Sequence, residues 1–173
     1  MLSFRLANIA DAAQISDLVN AAYRGETSRQ GWTTEADLLD GLRTTPKQVK
    51  SIIISPHQII LLCLQNQTIV GTICLESLVA VTHIGMFAVN PNLQGNGVGK
   101  QLLTYAEAYA KNHLKANKLA MHVIALRYEL IAFYERRGYQ RTGVFEDFPV
   151  NPAMWQVKVN TLNLELLEKI LNK

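Results

Sequence analysis

Residues 91–100 read PNLQGNGVGK, and the stretch that follows places Val98, Leu102, Ala106, Tyr109 and Ala110 on one helical stripe. Gly95, Gly97 and Gly99 therefore stand where a loop turns into a helix. Such a loop gathers backbone N–H groups at the positive end of the helix dipole and suits an anion such as a phosphate. Three apolar runs precede it, at 58–64, 69–76 and 81–89, the first two separated by Gln65-Asn66-Gln67. They read as an antiparallel meander closed by Pro91, so a whole group of strands comes before the glycine loop.

The rest of the chain is consistent with one sheet. Residues 3–6 form a short first strand, and Asp11 opens a helix with Ala12, Ile15, Leu18, Val19 and Ala22 on one face. Thr34 followed by Asp37 predicts a capping box opening a short second helix over 34–42. Pro46 suits the first turn of a further helix ending before Pro56. Strands are expected at 119–124, 139–144 and 162–166, and a helix at 129–137 stopped by Gly138. This order is an α+β mixture, with antiparallel hairpins ahead of a single β–helix–β crossover. With 173 residues and no linker-like tract, a single domain spanning 1–173 is expected.

Composition narrows the function classes. A net charge of +3 from scattered Lys and Arg, with only Arg136 and Arg137 adjacent, favours an anionic ligand but is too small for nucleic acid binding. Cys63 and Cys74 lie in apolar stretches and read as buried free thiols. No signal peptide or membrane span is expected, which predicts a cytoplasmic protein. His57, His113 and His122 lack metal-ligand spacing, so no metal is expected.

Two familiar phosphate loops fail on particular positions. A Walker A loop needs Gly where Gln94 stands and Ser or Thr where Gln101 stands. A dinucleotide fingerprint needs G-x-G-x-x-G after the first strand, whereas these glycines run G-x-G-x-G after the meander. What fits is Gln94-Gly95-Asn96-Gly97-Val98-Gly99 behind the strand HIGMFAVNP, with AFYERRGYQRTG at 132–143. This pair of blocks resembles the pyrophosphate loop and the FYE-x-x-GF element of the GNAT superfamily of acyl-CoA-dependent N-acetyltransferases. The resemblance spans essentially the whole chain. It implies a three-layer α/β/α fold around a mixed, mostly antiparallel sheet of six to seven strands with a splayed central pair.

The resemblance also implies roles. Acetyl-CoA is the expected cosubstrate, with its pyrophosphate on Gln94, Gly95, Asn96, Gly97, Val98, Gly99 and Lys100. A bulge in the central strand is implied to free the N–H groups of Met86, Phe87, Ala88 and Val89 for the pantetheine and the acetyl oxygen. Tyr134 matches the tyrosine that protonates the departing thiolate; an ordinary tyrosine, with a pKa near 10, keeps its proton at neutral pH. Many members carry Asn seven residues earlier, where this chain has Arg127, which is left to bind cofactor or an acidic group, or to face solvent. His83 and Glu76 are the candidate general bases. The acceptor site is implied to be built from the polar segment after the first helix and the late stretch 146–155. In the former, Glu26 and Glu35 are candidates to attract a cationic amine, Arg24 and Arg29 to hold a carboxylate of an amino-acid-like acceptor, and Trp32 to cover it. The acceptor is expected to be a small-molecule primary amine. A protein N-terminus or lysine, and a non-catalytic acyl-CoA sensor, are the alternatives, and a homodimer through the last strands is left open.

Overall fold

The structure, a computed structural model, describes residues 1–171. The elements are β1 (Leu2–Leu6), α1 (Ala12–Tyr23), β2 (Leu39–Gly41), α2 (Pro46–Ile54), β3 (Gln58–Gln65), β4 (Thr68–Leu78), β5 (Val81–Val89), α3 (Val98–His113), β6 (Lys118–Ile124), α4 (Tyr128–Glu135), β7 (Gln140–Asp147), β8 (Trp155–Val157) and β9 (Asn163–Ile170). Seven strands form one sheet in the order β1-β3-β4-β5-β6-β9-β7, and β2 pairs with β8 in a separate two-stranded ribbon. Among the described residues only β5 and β6 run parallel, joined by the α3 crossover. The fold is α+β in three layers, as the sequence implies.

The continuous apolar runs follow from burial on both faces of the sheet. Leu61 and Cys63 pack towards α3, whereas Ile60, Leu62 and Leu64 pack with Ile15, Val19 and Ala22 of α1 and Val49 of α2. Both cysteines are buried and free, and burial pushes their thiols up to about 11 and about 12. Asn66 and Gln67 take positive φ in the tight β3–β4 turn.

Two irregularities shape the middle of the sheet. The β4–β5 register runs Cys74↔Gly85 and then Thr72↔Ala88, so β5 carries one extra residue, a bulge at which Met86 has φ +46. The extra residue switches faces: Ile84 packs with the α3 cluster, yet Met86 packs with the α1–α2 cluster and Phe87 returns to the α3 side. On its other edge β5 meets β6 only at Val81↔Lys118, Thr82↔Leu119 and His83↔Ala120. Beyond His83 the strands part.

One expectation fails. Residues 34–42 form no helix: they turn at 35–38 and enter β2, which pairs antiparallel with β8. Thr34 Oγ1 does accept from the Ala36 N–H (3.1 Å), but Asp37 turns out to Arg29 (2.8 Å), so the capping box never closes. Leu39 is instead buried with Ile124 and Leu162. Tertiary pairing overrides the local signal.

Candidate active site

The glycine loop turns into α3 through Gly95 (φ +85) and Gly97 (φ +82), conformations that only glycine holds without strain. Gly99 differs: it lies inside α3 with no positive φ, and a side chain there would touch Val89 and Phe87. Its use is close packing of helix on strand. The first intrahelical bond runs from Gln101 N to Gly97 O at 3.1 Å, so the N–H groups of Val98, Gly99 and Lys100 lack helical acceptors. Space above the loop is open, since a Cβ on Gly95 meets nothing within 4 Å.

That space belongs to a cavity of about 370 Å³ lined by Gly95, Gly97, Gly99 and Lys100, by Phe133, Arg136 and Arg137 at the end of α4, and by Trp32. Its cations are Lys100, Arg136 and Arg137, and no carboxylate among the described residues lines it. Arg137 lies 3.6 Å over the Phe133 ring and donates to the Phe133 carbonyl at 2.7 Å; desolvation holds its pKa below the usual arginine range. An anionic, phosphate-bearing chain fits this lining. Val98 turns its side chain into the core, and Asn96 is exposed outside the cavity lining. Gln94 lines the cavity but is engaged in holding the loop: its amide donates to Thr33 Oγ1 (2.7 Å) and Val89 O (3.0 Å), and its oxygen accepts from Thr33 N (3.2 Å).

A second cavity, of about 390 Å³, spans the strand gap, with His83–Phe87 of β5 on one bank and Met121–Ile124 of β6 on the other. Its lining includes Arg24, Glu35, Glu76, His83, Gly85, Met86 and Arg127, with Phe148 and Trp155 from the late loop and β8. Glu76 and His83 face each other across the β4–β5 ladder. Glu35 is gripped from two sides, by Arg24 Nε on Oε1 and Arg127 Nη1 on Oε2, each at 3.3 Å. Burial pushes the Arg24 guanidinium down from its ordinary value, with Glu35 opposing.

The two cavities share four lining residues: Tyr23, Phe87, Leu130 and Tyr134. Tyr134 is buried on α4, edge-on to Phe133 (5.4 Å) and Tyr139 (5.7 Å). Burial drives its pKa upward, and its hydroxyl makes no hydrogen bond among the described residues. Tyr23, at the end of α1, donates to the carbonyl of Phe87 at the bulge; burial first and Glu35 second push its hydroxyl up to about 12.

Comparison with known proteins agrees with this geometry. The model of the acetyltransferase (GNAT) family matches residues 14–139, which include the glycine loop, the bulged strand and Tyr134. The chain belongs to the GNAT acetyltransferase family. A curated S-alkylcysteine N-acetyltransferase of Bacillus subtilis (strain 168) is 32% identical over 150 residues, covering 79% of this chain and 78% of that one. An N-acetyltransferase from Staphylococcus aureus Mu50 superposes with a TM-score of 0.73 at 17% identity, covering 98% and 97% of the two chains. An acetyltransferase of Salmonella typhimurium, solved with its cofactor acetyl-CoA, does so at 0.73 and 15%, covering 99% and 95%. This GNAT chain is thus an N-acetyltransferase whose acyl donor is acetyl-CoA.

Within this GNAT site some sequence candidates sit elsewhere than expected. Trp32 lies on the glycine-loop cavity, 5.6 Å from the Phe133 ring, and not over the other one. Arg127 lines the cavity with Glu35 and not the cation-rich one. Glu26 and Arg29 pair with each other at 3.1 Å on the surface and line neither. Ala88 also lines neither cavity. Sequence reasoning did not single out Tyr23 or the Arg136–Arg137 pair, and it reached Trp155 only as the end of the late stretch 146–155. The doublet beside FYE was a usable signal for the arginines; Tyr23 had none. No helix among the described residues is long and apolar enough to cross a membrane.

Proposed function

We infer that this chain transfers the acetyl group of acetyl-CoA to the primary amine of a small molecule, by direct attack within a ternary complex. The carrying observation is the meeting of two cavities at Tyr134, one floored by the glycine loop and lined by cations, the other lined by Glu76, His83 and the arginines. Acetyl-CoA occupies the first, its pyrophosphate on the N–H groups from Gly95 to Lys100 with charge from Lys100, Arg136 and Arg137. Its acyl arm runs along β5 beyond His83, where the strand edge has no β6 partner and alternate N–H groups are free to polarise the carbonyl.

The amine enters from the second cavity and attacks the thioester carbon. Its surplus proton leaves by way of Glu76 and His83, which line that cavity beside each other. The C–S bond breaks as the tetrahedral intermediate collapses, and Tyr134 donates its proton to the departing thiolate. Burial keeps this hydroxyl protonated in the free site and also weakens it as an acid. The proton therefore passes as negative charge builds on the sulfur, and the tyrosinate regains a proton from solvent once the products leave. A volume of about 390 Å³ suits a small molecule. The name of the Bacillus relative, an S-alkylcysteine N-acetyltransferase, also supports a small amine acceptor.

Tyr134→Phe is the test. It is expected to lower kcat by about 10²-fold or more while acetyl-CoA binds within about threefold of wild type. Unchanged kcat would remove Tyr134 from the chemistry, and a wild type that binds acetyl-CoA but acetylates no amine would favour an acyl-CoA sensor.

A further inference from the structure

We propose that the acceptor cavity is built around a carboxylate seat at Arg24, so that the acceptor is an α-amino acid with a free carboxylate and an apolar side chain. This rests on the acetyl-transfer reading above. Arg24 follows α1 and is 5% exposed. Its Nε is committed to Glu35, but Nη1 and Nη2 are buried with no hydrogen-bond partner among the described residues. Leaving charged donors unpaired in the interior costs several kcal/mol in general, and native structures rarely tolerate it without a use. A guanidinium fork with two free donors matches the two oxygens of a carboxylate.

The surroundings select the same ligand. Glu35 already accepts from both Arg24 and Arg127, so it is a positioning residue that fixes the fork and is not free to attract a cationic amine. Arg24, Arg43 and Arg127 against Glu35 and Glu76 leave the lining of this cavity positive, which disfavours a polyamine. Trp155 lies over the guanidinium at 5.8 Å and stands edge-on to Phe148 at 5.9 Å, giving the apolar surface for a side chain. Both nitrogens are buried, so a carboxylate reaches them only when the cover over the guanidinium shifts, and part of that cover is Trp155. It sits on β8, which is anchored to the ribbon through three residue pairs. A protein N-terminus presents an amide where the seat requires a carboxylate, so peptides are rejected.

The experiment compares S-methyl-L-cysteine with its carboxamide and with the decarboxylated 2-(methylthio)ethylamine, using wild-type protein and saturating acetyl-CoA. The acid is expected to exceed both analogues by about 100-fold or more in kcat/KM, mainly through KM. The carboxamide's amine loses its proton more easily, so intrinsic reactivity alone would favour the amide. Arg24→Met should shrink the acid-to-amide ratio to about threefold by lowering the acid's value. Because the wild-type comparison needs no variant, misfolding of Arg24→Met cannot rescue the idea. Acid and amide within about threefold in wild type would overturn the seat. If no amine is turned over, calorimetry on the CoA-saturated protein separates the two readings. Binding of acid but not amide, with a change in tryptophan emission, keeps the seat while the transfer reading fails; binding of neither overturns the seat as well.

Discussion

Tyr23 and Tyr134 stand at the junction of the two cavities, one tied to the bulge carbonyl and the other with its hydroxyl unpaired. Burial raises both pKa values above the ordinary 10.0, that of Tyr23 to about 12. A raised tyrosine pKa extends the range over which the hydroxyl keeps its proton, so the proton-donating form persists as pH rises through 10.0. The pH–rate profile is therefore expected to show no fall from tyrosine ionisation below about pH 10. A loss of kcat with an apparent pKa near 9, abolished in Tyr134→Phe, would contradict the burial argument. Tyr134 stands out in the sequence because it sits in FYERRGY. Its neighbour Tyr23 does not, because its position at the end of an apolar helical stripe reads the same whether it packs or lines a site. Arg24 and Glu35 were legible as charges in a polar segment, but nothing local distinguishes them from Glu26 and Arg29, which lie on the surface. Only the fold brings Arg127, 92 residues downstream, against Glu35.

At the scale of elements, the legible ones announce themselves by short-range chemistry. The meander, α3 and its glycine loop and the Pro46 start of α2 each follow from residues within a few positions of one another. The β2–β8 ribbon does not: each strand has three residues, and they are separated by more than a hundred positions. Its pairing turned an expected helix at 34–42 into a turn and a strand. The start of α1 shows a local device that holds. Asp11 accepts from Asn8 N (2.8 Å) and, through both oxygens, from Arg5 at 2.7 and 2.9 Å. The hydrogen bonds from Arg5 hold its carboxyl below the usual 3.8, against the opposing effect of burial. A depressed pKa contributes stability above the unfolded value and loses it as pH falls through the folded one. Asp11→Asn is expected to cost about 1 kcal/mol at pH 7. The gap should close as denaturation is followed below pH 3.8. A gap that persists at pH 2 would show that the charge is not its cause.

On the scale of the whole molecule, the sheet is two halves, β1-β3-β4-β5 and β6-β9-β7, joined by three residue pairs at 81–83 and 118–120. The gap beyond them is where the acyl arm is proposed to lie, and both cavities take lining from β5, with Phe87 common to the two. Amides of residues 84–89 that face the gap should exchange quickly with solvent in the free protein and become protected with acetyl-CoA. Exchange unchanged by acetyl-CoA would move the acyl arm elsewhere. The central claim is that the glycine-loop cavity holds the donor. Calorimetry with acetyl-CoA on wild type and on Gly97→Glu, with circular dichroism to check that the variant folds, tests it most directly. One equivalent bound by wild type and none by the folded variant is the result expected from a phosphate held against a backbone at φ +82 with open space above it. Equal binding by the two proteins, or no binding by wild type, would contradict it.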